Sequence, residues 1–316
     1  MSGSQSAPDA ALAAAIATQV TAQAPIAVSR FTTGMRHFVY EATFADRAPL
    51  VVRIGDANAH SAMAGALHLS NLLRPHGVPL PEILAHDVDA DFLWLALERL
   101  PGVDLGAVIG DFSDAQLDRI AAEVARAQAI AAGTGACERY GIAVRPGQAP
   151  YERWSDALEA ELTLSRRRVA AVGLFDAAMA DAIQTRLNAL RAQIDAVPAT
   201  PYLHDTTTKN VIVTPDGEVS GIVDVDDLGF GDPRYPAALT LAVLNMTGGP
   251  VQYVYRWLRH AQAADDPLFR LYVALHLFGL MSEHGQTFNG NEMPSSPAVR
   301  GALRRALDET LANSAP

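Results

Sequence analysis

Residues 202–233 read YLHDTTTKNVIVTPDGEVSGIVDVDDLGFGDP, and the fold follows from how this stretch is read. It sets an acid, Asp205, before an amide, Asn210, and then brings a second acid, Asp224, to the end of an apolar run. Val211, Ile212 and Val213 are β-branched and predict a strand. Pro215-Asp216-Gly217 is a turn signal, and Gly221-Ile222-Val223 begins the return strand. Such a hairpin puts Asn210 at the mouth of one strand and Asp224 near the end of its partner, so the two approach each other without any long-range assumption. Along an extended Asp224-Val225-Asp226, both acids face one side and Asp227 the other.

The step from Asp205 to Asn210 has the spacing of a phosphoryl-transfer catalytic loop, H-R-D-x-x-x-x-N. In that chemistry an Asp takes the proton of an attacking hydroxyl, an Asn holds magnesium, and a further Asp on the next hairpin holds the ions that bridge the nucleotide phosphates. A base and two metal ligands are the minimum parts, because phosphoryl transfer is mostly positioning and charge neutralisation. The bland alternative is a surface hairpin with acids at its ends. A lone D-x-x-x-x-N match occurs by chance, whereas one coupled to a turn-bearing hairpin that delivers another acid is far more specific.

At these residues the chain resembles the aminoglycoside phosphotransferase-like superfamily, which includes choline kinases and other small-molecule kinases. Its members carry H-G-D-x-x-x-x-N, a short hairpin, then I-D-W/F-x-x-A-x-x-G-D-P. Here the second block runs from Ile222 through Asp224, Asp226 and Asp227 to Gly231-Asp232-Pro233, where Asp232 is expected to cap a helix. The first block departs: Leu203 stands in the usual His position, and His204 sits directly before Asp205. Leu203 would keep the packing of that position and lose a hydrogen bond.

The resemblance implies an α+β, protein-kinase-like bilobal fold: a small lobe with a mixed β-sheet over 1–100 and a larger, mostly helical lobe over 101–316. It implies transfer of the γ-phosphoryl group of ATP or GTP, with Mg2+, to a hydroxyl of a small aminoglycoside-like, choline-like or sugar-like molecule. Asp205 would be the base, Asn210 and Asp224 would hold magnesium, and Asp226 is placed to assist a second ion. Lys209 would face the transferred group or, more simply, solvent.

The amino-terminal third agrees. Strands are expected over 38–44 and 50–54, a helix over 59–74, and strands over 82–86 and 92–97, which is the element order of a kinase amino-terminal lobe. Gly77-Val78-Pro79-Leu80-Pro81 resembles the family's G-V-P-x-P turn. Thr33 and Gly34, before the strand expected from Phe38, are candidates for a loop over the phosphates, offering backbone N–H groups and a hydroxyl. Arg53 takes the place of the kinase lysine that pairs the phosphates, and a guanidinium grips phosphate in two-pronged fashion. Kinases pair that basic residue with a Glu on the following helix, yet 59–74 contains no acid. Either Arg53 works unaided, another acid replaces the partner, or nucleotide binding is weakened. Glu98-Arg99-Leu100-Pro101-Gly102 resembles the M-E-R-L-P-G hinge, where the backbone of Glu98 to Leu100 would meet an adenine edge.

Helical spacing is expected over 113–132, 151–171, 175–196, 236–244, 252–263, 268–283 and 298–313. Tyr151, Trp154, Trp257, Glu283 and His284 are candidates to line an acceptor site among these helices, with core packing the simpler fate of each aromatic. The chain has 316 residues, 49% of them hydrophobic, and a formal net charge of -11, which is the wrong sign for a nucleic-acid partner. An acidic surface suits a cationic acceptor. The single Cys137 makes no internal disulfide and fits a reducing, cytoplasmic setting. The Ala-rich stretch from Ala10 has no Lys or Arg before Arg30, so it predicts a helix capped by Asp9 rather than a leader peptide, and no apolar run is long enough for a membrane partner. Two non-kinase readings stay open: a pseudokinase-type nucleotide- or metabolite-binding protein without turnover, and an interaction protein whose acidic hairpin is only surface.

Overall fold

The computed structural model describes residues 7–31, 37–135, 137–288, 291–292 and 295–312. The expected phosphate-loop residues Thr33 and Gly34 lie outside them. Helix α1 (Ala10–Thr21) opens the chain, with the Asp9 carboxylate accepting from the Leu12 N–H at 2.9 Å. Strands β1 (Ala27–Arg30), β2 (Phe38–Thr43) and β3 (Leu50–Gly55) follow, then helix α2 (His60–Leu73) and strands β4 (Ile83–Asp87) and β5 (Leu93–Glu98). The sheet order is β1-β2-β3-β5-β4, and every pair is antiparallel. The sheet expected to be mixed therefore has no parallel pair: α2 returns the chain to β4 on the far edge, and each remaining neighbour runs against its partner.

Period-two alternation sorts this lobe's side chains. Leu50, Val52 and Ile54 of β3, with Trp94 and Ala96 of β5, pack under Ala13, Ile16 and Ala17 of α1. The opposite face carries Leu93 and Leu95 against Met63 and Ala66 of α2. Arg53 lies between Val52 and Ile54 and so falls on the α2 face, toward the cleft.

The second lobe begins after the hinge with β6 (Val103–Asp104), the short α3 (Leu105–Val108) and α4 (Asp114–Ala132), which is closed by a Ser113–Gln116 capping box. Next come β7 (Gly141–Ala143), α5 (Trp154–Val172), α6 (Met179–Asp195) and β8 (Thr200–Leu203). The hairpin of β9 (Val211–Val213) and β10 (Val219–Ile222) leads to β11 (Leu228–Gly231) and α7 (Tyr235–Thr247). Helices α8 (Gln252–His260) and α9 (Pro267–Glu283), the pair β12 (Thr287–Phe288) and β13 (Asn291–Glu292), and α10 (Pro297–Ala312) complete the chain. Two small sheets, β10-β9-β6 and β7-β11-β8, carry the segment from 200 to 231 beside this helical body. Among the described residues no helix is long and apolar enough to cross a membrane.

The lobes share a core. Leu69, Leu73, Val78 and Leu80 from the first pack with Ala127, Leu203, Ile222, Leu228 and Phe230 of the second. At Gly102, φ is +103° and a Cβ would stand 2.0 Å from the Val213 carbonyl oxygen, so the hinge crosses β9 only with glycine there.

Trp154 and Trp257 are each 2% exposed and belong to the helical core, which is the simpler of the two fates expected for them. His276 of α9 is buried too, its ring against that of Tyr235 and its Nε2 3.2 Å from the Tyr235 carbonyl oxygen. Burial pushes this imidazole down to about 3, although Glu161 lies 3.8 Å from Nδ1. The folded protein thus keeps His276 neutral where an unfolded chain takes up a proton. Its stability is complete above the ordinary histidine value of about 6.5 and falls as pH drops below it. Guanidinium unfolding should show a loss of up to about 1.4 kcal/mol per pH unit in that window, and His276→Gln should flatten the slope.

Candidate active site

The β9–β10 hairpin forms as its sequence demands. Ile222 pairs with Val211, and one step further the Val223 N–H donates to the Asn210 carbonyl at 2.9 Å. Asn210 and Asp224 are therefore neighbours across the strand ends. The chain does not continue extended, because Asp224 has φ +63°, the left-handed region that Asp tolerates better than most residues. The expectation that Asp224 and Asp226 share one face of a strand fails at this turn. Asp224 keeps a side chain that is 50% exposed, while the Asp226 side chain, at 7%, is driven inward.

Asp226 meets Arg53 there. Arg53 Nη1 donates to Asp226 Oδ1 at 2.6 Å, Nη2 donates to Oδ2, and Nη2 is also 3.3 Å from Asp224 Oδ1. His37 Nε2 lies 3.4 Å from Asp226 Oδ2. Burial by itself pushes the Asp226 carboxyl up, but the charge and hydrogen bonds of Arg53, with His37, outweigh it and hold the group far below the usual carboxylate range. Arg53 thus has an acidic partner even though α2 offers none.

The loop carrying Asp205 is held from three sides. The Thr206 carbonyl accepts from Thr240 Oγ1 of α7 at 3.1 Å, and the Thr208 carbonyl accepts from the Gly106 N–H of α3 at 3.1 Å. Gln128 of α4 is the third support: its Oε1 accepts from the Leu203 N–H, and its Nε2 donates to the Leu203 carbonyl and Thr206 Oγ1, all at 2.9 Å. Leu203 is fully packed, as its position implied, and the polar support comes from Gln128. Nothing local in the sequence marks this glutamine, apart from its being a polar residue on the apolar stripe of α4. Gln128→Ala is expected to strand buried backbone groups at a cost of about 1–3 kcal/mol, read as a lower denaturation midpoint with an unchanged denaturant slope.

Asp205 itself stays open, its side chain 27% exposed, with Thr207 Oγ1 at 3.3 Å and Lys209 Nζ at 3.8 Å. Lys209 is 56% exposed, the simpler of the two fates named for it. Asn210 is buried, and its Nδ2 donates to the Asp205 carbonyl at 2.8 Å, so the side-chain oxygen remains the available acceptor. His204 Nδ1 lies 3.3 Å from the Asp227 carbonyl oxygen, a loop-to-loop contact. Asp232 does not cap α7 as expected. Its carboxylate takes the Arg234 N–H at 2.9 Å and the Arg234 guanidinium at 2.7 Å, and accepts from Tyr272 Oη at 3.1 Å.

A shallow cleft between the lobes is lined by Arg53 and Asp224 and by the apolar Leu97, Leu80 and Ile222. At the hinge, the Glu98 N–H donates to the Glu82 carbonyl at 2.8 Å, and Glu98 Oε2 accepts from the Glu82 N–H at 3.1 Å. Arg99 pairs with Glu41 at 2.8 Å and donates to the Leu100 carbonyl. The Leu100 N–H has no hydrogen-bond partner among the described residues. A second hollow, by Ala132, Cys137 and Thr200, lies at the far end of β8 from Asp205 and is lined by no charged side chain.

The model of the phosphotransferase enzyme family (APH) matches residues 27–272. No curated protein matches the sequence. Among solved structures, a thermostable mutant of the aminoglycoside phosphotransferase APH(4)-Ia, in ternary complex with ADP and hygromycin B, superimposes with a TM-score of 0.68 at 17% identity, covering 96% of this chain and 99% of that one. A putative fructosamine-3-kinase from Thermobifida fusca gives 0.62 at 20% identity over 95% and 97%. The GDP complex of an aminoglycoside 2'-phosphotransferase-IIIa mutant gives 0.63 at 13% over 97% and 96%. The family match spans most of the chain, and the bilobal architecture agrees with it: the protein belongs to the phosphotransferase enzyme family and is a small-molecule kinase of protein-kinase-like fold.

Proposed function

We propose that this kinase moves the γ-phosphoryl group of ATP or GTP to a hydroxyl of a small molecule bound beside Asp205, with the nucleotide between residues 1–100 and 101–316. The observation that supports the reading is the backbone bond from Val223 to Asn210, which sets Asn210 opposite the residue that precedes the half-exposed Asp224, itself 3.3 Å from Arg53. Neighbours of the same fold were crystallised with ADP and with GDP, which supports a purine nucleotide as donor.

The donor set suits magnesium. Mg2+ takes hard oxygen ligands, usually one or two from the protein and the rest from phosphates and water. Asn210 and Asp224 offer one amide oxygen and one carboxylate, and among the described residues no cluster of three or more His, Cys, Asp or Glu forms an all-protein cage. When bound, the ion neutralises charge on the phosphates. Asp205 would accept the acceptor's hydroxyl proton and orient its oxygen for in-line attack, while Arg53 would steady the phosphates. The purine edge would run along Glu98 to Leu100, with the Leu100 N–H as donor, and Thr33 and Gly34 would close over the phosphates. The acidic chain, at -11, and the hygromycin B held by one neighbour favour a cationic acceptor, so aminoglycosides head a screen that includes choline-like and sugar alcohols.

Thermal melting with ATP or GTP, with and without Mg2+, tests the reading. Ligand at a hundred times its Kd stabilises a folded protein by about 2.7 kcal/mol. The expected result is a magnesium-dependent rise in Tm that is lost in Asp224→Ala. No rise with either nucleotide at millimolar concentration would turn the assignment toward a protein without turnover.

A further inference from the structure

We propose that Asp226 is the positioning residue of the nucleotide site: its buried carboxylate sets the Arg53 guanidinium, doing from the metal-bearing segment what a kinase does from its helix. The inference rests on the phosphotransferase reading above and deepens it.

The two acids two residues apart are not equivalent. Asp224 is half exposed and touches Arg53 through one oxygen at 3.3 Å, which leaves it open to another ligand. Both oxygens of Asp226 are taken by Arg53, and His37 stands 3.4 Å from the second. The Arg53 and Asp226 side chains are each 7% exposed, so the pair is largely withdrawn from solvent. A planar guanidinium gripped at both Nη atoms has its orientation fixed, and Arg suits this two-pronged geometry where Lys does not.

Helix α2 shows why the acid comes from elsewhere. The α2 residues that share the cleft with Arg53 are Ala66 and Ser70, neither of them charged. At Gly65 a Cβ would stand 2.1 Å from the Asp226 carbonyl oxygen, so the helix backbone lies directly on the segment that carries the acid. At Gly65 any side chain would run into the backbone of Asp226 itself. The resulting pair joins positions 173 apart in the chain, one in each lobe. Arg53 is thereby placed by the same short segment that presents Asp224, so the phosphate grip and the metal-facing acid move together.

A double-mutant cycle tests this, reading two quantities by calorimetry: the Kd of ADP in EDTA and the Mg2+ concentration that half-saturates the Mg2+-dependent gain in ADP affinity. Asp226→Asn is expected to weaken metal-free ADP binding by about tenfold and to leave the half-saturating Mg2+ unchanged. In an Arg53→Ala background the same change should add nothing, because Asp226 acts only through Arg53. Asp224→Asn should show the converse pattern, a raised Mg2+ requirement with metal-free binding kept. If Asp226→Asn raises the Mg2+ requirement, multiplies with Arg53→Ala, or leaves metal-free ADP affinity at the wild-type value, the proposal is wrong. Should the asparagine variant not fold, Asp226→Glu keeps the charge and displaces it by one methylene, and the same split between ADP and Mg2+ decides. Failure of wild type to bind ADP at all would instead strike the phosphotransferase reading itself.

Discussion

Asp205→Ala is expected to fold, to bind nucleotide as wild type does, and to lose about 10²–10⁴-fold in turnover, the usual worth of a positioned base. The reason lies in which atoms of Asp205 hold the loop. Its backbone carbonyl anchors Asn210 Nδ2 at 2.8 Å, and any residue keeps that bond. Its carboxylate is partly open and, among the described residues, touches Thr207 Oγ1 at 3.3 Å and Lys209 at 3.8 Å, contacts of little structural worth. The neighbouring threonines stay buried, and Gln128, Thr240 and Gly106 continue to support the backbone. Substitution should therefore remove a proton acceptor and leave the site standing. The check is kcat alongside the nucleotide-induced rise in Tm. Wild-type kcat in the variant would remove Asp205 from the mechanism, whereas loss of the Tm rise would mean that the loop itself had moved.

The second large effect is on stability. Arg53→Met should destabilise the protein by about 3–5 kcal/mol, because it leaves the buried Asp226 carboxylate without its main partner. Adding Asp226→Leu should recover most of that loss, since a buried ion pair replaced by apolar residues of similar size is often neutral. Guanidinium unfolding of the single and double variants measures both, and a single variant as stable as wild type would mean that His37 alone suffices. The pH dependence has a definite sign. Asp226 is held below the ordinary aspartate value of about 3.9, so the pair's contribution is complete above that value and is lost only as pH falls below it toward the depressed one.

Much of this was legible from local pattern. The helix expected over 113–132 is α4 with Ser113 as its cap, and the strands expected over 38–44 and 92–97 are β2 and β5 to within a residue or so. Amphipathic helices and antiparallel neighbours write a period into the chain, and the β9–β10 hairpin adds its own turn signal. Strand β1 and the β7-β11-β8 sheet were not legible. They are strands of three or four residues, too short to display alternation, and β11 pairs with β7 and β8 across long stretches of chain. The missing acid on α2 favoured a protein without turnover when only the sequence was in view. Asp226 supplies that charge, and the argument from its absence lapses.

The sequence by itself determined the β9–β10 hairpin and the spacing of Asp205, Asn210 and Asp224, because these depend on contacts between near neighbours and on a turn that few residues can make. Only the tertiary structure decided which acid serves Arg53, which side chain supports Leu203, and which of the two acids after Ile222 stays open to solvent. Arg53 and Asp226 are 173 positions apart, and Gln128 and Leu203 are 75 apart. Partners so distant leave no period in the chain, and nothing in the local pattern marks the left-handed backbone at Asp224 or the close approach of α2, at Gly65, to the segment that follows.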